Sequence, residues 1–176
     1  MIKVFICGMP GSGKSTLGSS VAKELNIPFY DLDELIETGA TRIKDLFAKS
    51  ESQFRQTEQQ TLQTFLTEHQ DHSFCLALGG GTISNDRILD LLKRTGVLIF
   101  LDVPLSEIAT RLGRKTESKK RPLFIDLNSE QINSKLKKIW HLRKAQYWQS
   151  HIITGVQDVE QPELLTKRIE LFTKFG

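Results

Sequence analysis

The segment Gly8-Met9-Pro10-Gly11-Ser12-Gly13-Lys14-Ser15 fills the pattern GxxxxGK[ST] completely, a match expected by chance about once in a hundred chains of this composition. Its chemistry is the capture of phosphate. Glycines let the backbone turn its N–H groups inward onto phosphate oxygens, and the start of a helix adds partial positive charge. Lys14 is placed to neutralise β/γ oxygens, and the Ser15 hydroxyl suits Mg2+. An ordinary glycine-rich turn is the bland alternative. It fits poorly, because the motif follows an apolar strand pattern and opens a helical one.

Further residues could work beside such a loop. Asp31-Leu32-Asp33 follows a second short strand pattern, so both carboxylates belong at the strand's carboxyl end, where open α/β sheets bind ligands. One could hold a metal-bound water, and the other could take a proton from an attacking hydroxyl. Alternatively, Asp33 caps the helix that follows. Gly79-Gly80-Gly81, after a third apolar run, places three backbone N–H groups at the same edge, either for a close ligand or as a plain loop. Arg55 and Arg143 lie on separate predicted helices. Arginine suits bidentate capture of carboxylate or phosphate, although a lone helix arginine is more often a solvated charge. Glu58, three residues after Arg55, could hold it in place.

Residues 111 to 144 carry eleven Lys or Arg against three acids, a local +8 that leaves −5 for the remainder of a +3 chain. A nucleic-acid surface is one reading. A lid that swings Arg121 over nucleotide phosphates is the better one, because phosphoryl transfer needs cationic clamping and exclusion of water. The stretch from Gly113 to Leu123 also lacks the aromatics of a base-stacking surface. Val97 to Asp102 resembles a metal-binding strand of phosphate-loop proteins. Val103-Pro104 follows at once, which ranks Asp102 below Asp31 as the metal carboxylate.

The elements that must position these groups alternate. Strands are predicted at Ile2–Cys7, Pro28–Tyr30, Phe74–Leu78, Val97–Leu101 and Ile152–Thr154. Between them, helical patterns run to Leu25, from Asp33 to His69 with breaks near Thr38-Gly39 and Lys49-Ser50, from Ser84 to Arg94, from Pro104 to Leu112 and from Ser129 to Trp148. A last helix spans Pro162–Phe175. Ser52 and Ser84 are the expected caps of two of these helices. Strands alternating with helices predict a parallel sheet covered on both faces, an α/β fold.

With 176 residues, 39% hydrophobic and 26% charged, the chain has enough apolar material for one domain with one core. The near-balanced charge makes neither nucleic acid nor an anionic membrane the default partner. The longest apolar run, Val97–Leu101, is far too short to span a bilayer. Cys7 and Cys75 sit inside apolar stretches, as reduced core thiols do, so a cytoplasmic location is expected. The chain is short for a GTPase and has no NKxD, which favours a small kinase.

Several of these pieces stand in the order found in the shikimate kinase family, of the nucleoside-monophosphate-kinase-like branch. They are Gly8–Thr16, Asp31-x-Asp33 with Ile36-Glu37, and Phe54-Arg55-x-x-Glu58. Leu78–Gly81, Arg121-Pro122-Leu123 and Arg143-x-x-x-Tyr147 complete the series. The resemblance spans essentially the whole chain. It implies ATP-dependent phosphorylation of the shikimate 3-hydroxyl, within aromatic amino acid biosynthesis. It also implies a three-layer α/β/α fold with five parallel strands ordered 2-3-1-4-5 and a mobile lid at about 113–127, with acceptor-binding helices at about 33–60.

Carried over residue by residue, Gly11, Ser12, Gly13, Lys14, Ser15 and Thr16 hold the ATP phosphates, with Ser15 on Mg2+ and Asp31 reaching it through water. Asp33 binds the acceptor hydroxyls and orients or deprotonates the attacking one. Arg55 and Arg143 clamp the carboxylate beside Gly79, Gly80 and Gly81, of which Gly80 offers its N–H. Arg121 closes onto the phosphates, and Arg111 lies along the adenine, bordered by the loop after Thr154. ATP and shikimate are the expected partners of a monomer. The chain departs from the family pattern in two places: about two residues are missing between Glu37 and Arg55, and the segment before Arg121 is a few residues longer. A gluconate kinase-like enzyme and a non-catalytic nucleotide-sensing module are the competing readings. The paired arginines, the glycine triplet and Asp33 argue against the first, and Lys14 and Asp33 argue against the second.

Overall fold

Val4, Phe5, Ile6 and Cys7 are all essentially inaccessible to solvent. A strand that is apolar on successive residues must be covered on both faces, so it belongs at the centre of a parallel sheet. In the computed structural model, which describes residues 1–38, 42–114 and 122–175, that strand is β1 (Lys3–Cys7). It pairs with β3 (Phe74–Ala77) on one side and β4 (Val97–Leu101) on the other. β2 (Phe29–Asp31) and β5 (Ile152–Thr154) form the edges. All pairs are parallel and the order is β2-β3-β1-β4-β5, as the resemblance implied.

The helices are α1 (Lys14–Glu24), α2 (Leu32–Ile36), α3 (Ile43–Lys49), α4 (Glu51–Glu68), α5 (Asp86–Thr95), α6 (Leu105–Leu112), α7 (Ser129–Tyr147), α8 (Gln157–Glu160) and α9 (Pro162–Phe175). They flank the sheet in a three-layer α/β/α arrangement, with α1 packed on β3 and α9. No described helix is long and apolar enough to cross a membrane. The connection leaving β1 runs toward β2, and the one leaving β3 runs toward β4. The chain therefore reverses direction between neighbouring strands, and a crevice opens over their carboxyl ends.

Local chemistry sets the helix starts, and in two places it differs from expectation. Ser50, not Ser52, caps α4, accepting from the Gln53 N–H at 3.1 Å; Ser52 already lies in the first turn. Asn85, not Ser84, caps α5 through the Arg87 N–H at 3.0 Å, while Ser84 closes a short 3-10 turn, Thr82–Ser84. α7 starts with a reciprocal capping box in which Asn128 and Gln131 exchange side-chain and backbone bonds, both 2.9 Å. Glu37 starts α3, its Oε1 accepting from the Ile43 N–H at 2.9 Å.

One titratable group is built into the sheet edge. The His151 backbone N–H donates to the Leu98 carbonyl, while the ring Nδ1 accepts from the Leu98 N–H at 3.1 Å. Burial, and after it the charge of Lys93, hold the imidazole below its ordinary value of 6.5. The unfolded chain therefore binds this proton more readily. The stability that His151 contributes is present above about pH 6.5 and is lost as pH falls from there through the folded-state value. Between about pH 7 and about pH 5, the denaturation midpoint of the wild type should fall more steeply than that of His151→Gln; parallel curves would contradict this assignment.

Candidate active site

The phosphate loop joins β1 to α1 over the crevice. Gly11 and Gly13 take φ of 80° and 102°, the left-handed region that side chains rarely enter, and Gly13 directly precedes the first turn of α1. The Lys14 ammonium donates to the carbonyls of Gly8 and Met9, both at 3.2 Å. The Ser15 hydroxyl donates to Asp31 Oδ2 at 2.5 Å, and Asp31 Oδ1 accepts from the Asp33 N–H at 2.9 Å. It is therefore Asp31 that caps α2. Asp33 does not cap it, and its carboxylate lines the cleft. The Ser12 hydroxyl is buried with no hydrogen-bond partner among the described residues. Behind the loop, Arg111 donates to the Ser12 carbonyl at 2.7 Å and pairs with Glu107.

Opposite the loop, the glycine triplet following β3 is packed from three sides. A Cβ on Gly80 would stand 2.8 Å from the Pro10 ring, and one on Gly81 would stand 2.5 Å from the Arg55 guanidinium; one on Gly79 would overlap Glu58. At Gly80 the neighbour is a proline ring that cannot swing aside, so close approach requires glycine there, while the neighbours of Gly79 and Gly81 are side-chain ends. Arg55 is held by Glu58 at 2.7 Å and Glu51 at 3.4 Å, with its guanidinium 4.9 Å from the Phe54 ring centroid. Glu58 is 3% exposed. A carboxylate that deep is costly unless paired, and its second oxygen accepts from Thr82 at 2.7 Å. From α7, Arg143 donates to the Gly80 carbonyl at 2.9 Å, and the Tyr147 hydroxyl donates to the same oxygen at 2.5 Å. The two guanidinia thus flank one peptide.

Loop and triplet share a single cleft of about 740 Å³. Of the residues expected from the sequence, it gathers Gly13, Lys14, Ser15, Thr16, Asp31, Asp33, Arg55, Gly79, Gly80, Gly81 and Arg143. Gly11 and Ser12 of the loop do not line it, nor does Arg111, which is bonded to the Ser12 carbonyl. Arg121 and the heart of the expected lid, 115–121, lie outside the described residues. The carboxyl end of that expected segment is described, and its Leu123, Phe124 and Ile125 line the cleft. Asp102 does not line it; its backbone N–H pairs with Thr154 and burial raises its carboxyl pKa.

Sequence reasoning missed Pro10, Thr82 and Phe47 as supports. Phe47 of α3 stacks on Phe54 at 4.3 Å, tying α3 to the helix that carries Arg55. It also missed what Tyr147 does, although the spacing of four from Arg143 places both on one helix face.

Phosphoryl transfer needs an anion cradle facing a seat for the acceptor, and the crevice over β1 and β3 supplies both. That places the chain among the phosphate-loop kinases. The family model for shikimate kinase matches residues 10–173. A shikimate kinase of Chlorobium chlorochromatii is 34% identical, with 97% of this chain and 92% of that protein covered; one from Chlorobaculum parvum is 33% identical over 95% and 91%. Among solved structures, shikimate kinase from Acinetobacter baumannii in complex with shikimate superposes with a TM-score of 0.84 at 27% identity, covering 100% and 96%. The Bacteroides thetaiotaomicron shikimate kinase gives 0.83 at 26%, covering 99% of each chain. The chain belongs to the shikimate kinase family.

Proposed function

We propose that this cleft carries out the reaction of the family, ATP-dependent phosphorylation of shikimate, at the acceptor's 3-hydroxyl, giving shikimate 3-phosphate and ADP. The observation that carries the reading is the pair of guanidinia, Arg55 and Arg143, flanking the Gly80–Gly81 peptide on the cleft that Asp33 and the phosphate loop also line. An anionic polyol needs cations for its carboxylate and a carboxylate for its hydroxyls, and this cleft has both.

Gly11, Ser12, Gly13, Lys14 and Thr16 hold the ATP phosphates. Asp33 orients the attacking hydroxyl and takes its proton. Arg55 and Arg143 clamp the carboxylate, with the Gly79–Gly81 backbone beside them. Arg111 borders the nucleotide, and Arg121 closes over it with the lid at about 113–127. The oxygens of Ser15 and Asp31 suit Mg2+, which is bound through few protein ligands plus water and substrate phosphates; Ser15 would hold it directly and Asp31 through water. When bound, Mg2+ supplies charge neutralisation between the phosphates. The reading extends to a monomeric single-domain enzyme of the cytoplasm, consistent with two buried free thiols, Cys7 and Cys75.

Arg143→Ala tests the acceptor site. Loss of a charge-assisted contact worth ~1.5–3 kcal/mol should raise the shikimate KM roughly ten- to a hundredfold and leave the ATP KM nearly unchanged. An unaltered shikimate KM would make Arg143 a surface charge.

A further inference from the structure

The Gly80 carbonyl is the meeting point of α7 and the glycine triplet, and it is saturated. A carbonyl oxygen has two lone pairs; one takes Arg143 at 2.9 Å and the other takes the Tyr147 hydroxyl at 2.5 Å. On the reading of Arg143 as the carboxylate clamp, an incoming carboxylate competes with Gly80 for this guanidinium. When the guanidinium turns to that carboxylate, Gly80 loses a charge-assisted donor. A half-buried carbonyl without another donor would resist that loss, because an unmade hydrogen bond costs more than a made one contributes.

Tyr147 is built to remain. Its side chain is fully buried, and its ring lies parallel to Phe100 at 4.9 Å and 4°. Burial, opposed by the charges of Arg143 and Arg55, raises its pKa, so the hydroxyl stays a donor at any working pH. A peptide between two glycines is otherwise the easiest to rotate. Because the peptide is planar, holding the Gly80 oxygen also holds the Gly81 N–H. Pro10 packs against Gly80 on the phosphate-loop side, so the peptide is braced between the nucleotide loop and α7.

We propose that Tyr147 is a positioning residue for the acceptor: its hydroxyl keeps the Gly80 carbonyl satisfied and in place, so that Arg143 can be given up to the substrate carboxylate. This rests on the reading of Arg143 as a carboxylate clamp.

Tyr147→Phe keeps the ring and its stacking while removing the one donor. Steady-state kinetics with shikimate, with its methyl ester and with ATP, alongside thermal unfolding, should show the shikimate KM raised about tenfold, the worth of one hydrogen bond. The ATP KM and kcat should stay within about twofold, and the unfolding midpoint should stay close to wild type. For the ester, which has no charge to draw Arg143 away, the KM should match that of the wild type. Three results would overturn the proposal. If Arg143→Ala leaves the shikimate KM unchanged, the clamp itself fails and takes the Tyr147 role with it. If Arg143→Ala raises it and Tyr147→Phe does not, the clamp stands and the Tyr147 role is wrong. If Tyr147→Phe raises the acid, ester and ATP KM values together, or does not fold, Tyr147 is only a structural support.

Discussion

Lys14→Met should leave a folded protein without measurable turnover. The Lys14 side chain is 6% exposed, and its ammonium lies against the carbonyls of Gly8 and Met9, at the mouth of a loop whose backbone is already bent by Gly11 and Gly13. Methionine matches the stem in length and apolar character, so the packing around α1 survives. What is lost is the positive charge that the proposed mechanism sets against the phosphoryl oxygens, where charge develops as the group transfers. Removing a single preorganised donor to developing negative charge costs about 10²–10³ in kcat, and cationic clamps in phosphoryl transfer reach 10³–10⁵. ADP release measured beside a circular-dichroism melt decides the matter. A native melt with activity near wild type would remove Lys14 from the chemistry, and with it the phosphate-loop assignment.

Asp33→Asn should cut kcat by about 10²–10⁴, the range of general base catalysis, with the ATP KM within about twofold. The exchange is nearly isosteric, and α2 does not depend on the lost carboxylate, because Asp31 caps it. The nucleotide should therefore bind as before while the acceptor hydroxyl loses its proton acceptor. An unchanged kcat would take Asp33 out of the acceptor site.

How far the sequence revealed these roles depended on how local each cause is. The phosphate loop was legible as a motif, since its glycines answer to backbone geometry, with Gly8, Gly11 and Gly13 all at positive φ. The five strands were legible for the same reason: short apolar runs between amphipathic ones. Their order came only through the family resemblance, because pairing β1 with β3 and β4 depends on contacts across some seventy and ninety residues. The capping serines were misplaced by one or two positions, where Ser50 and Ser52, or Ser84 and Asn85, offer the same chemistry. The reason for Gly79–Gly81 was half visible. Close approach is the cause at Gly80, and what approaches is the protein's own Pro10; the Glu58 and Arg55 side-chain ends lie against Gly79 and Gly81. Tyr147 was visible as a spacing and silent as a function, since its partner Gly80 stands 67 residues away.

The most direct test of the whole account is ADP release from MgATP with shikimate, with gluconate and with no acceptor. Turnover that requires shikimate, with only background rates for the other two, is the predicted result. Hydrolysis at one rate in all three reactions, or turnover driven by gluconate, would leave the phosphate loop in place and contradict the acceptor site built from Asp33, Arg55 and Arg143.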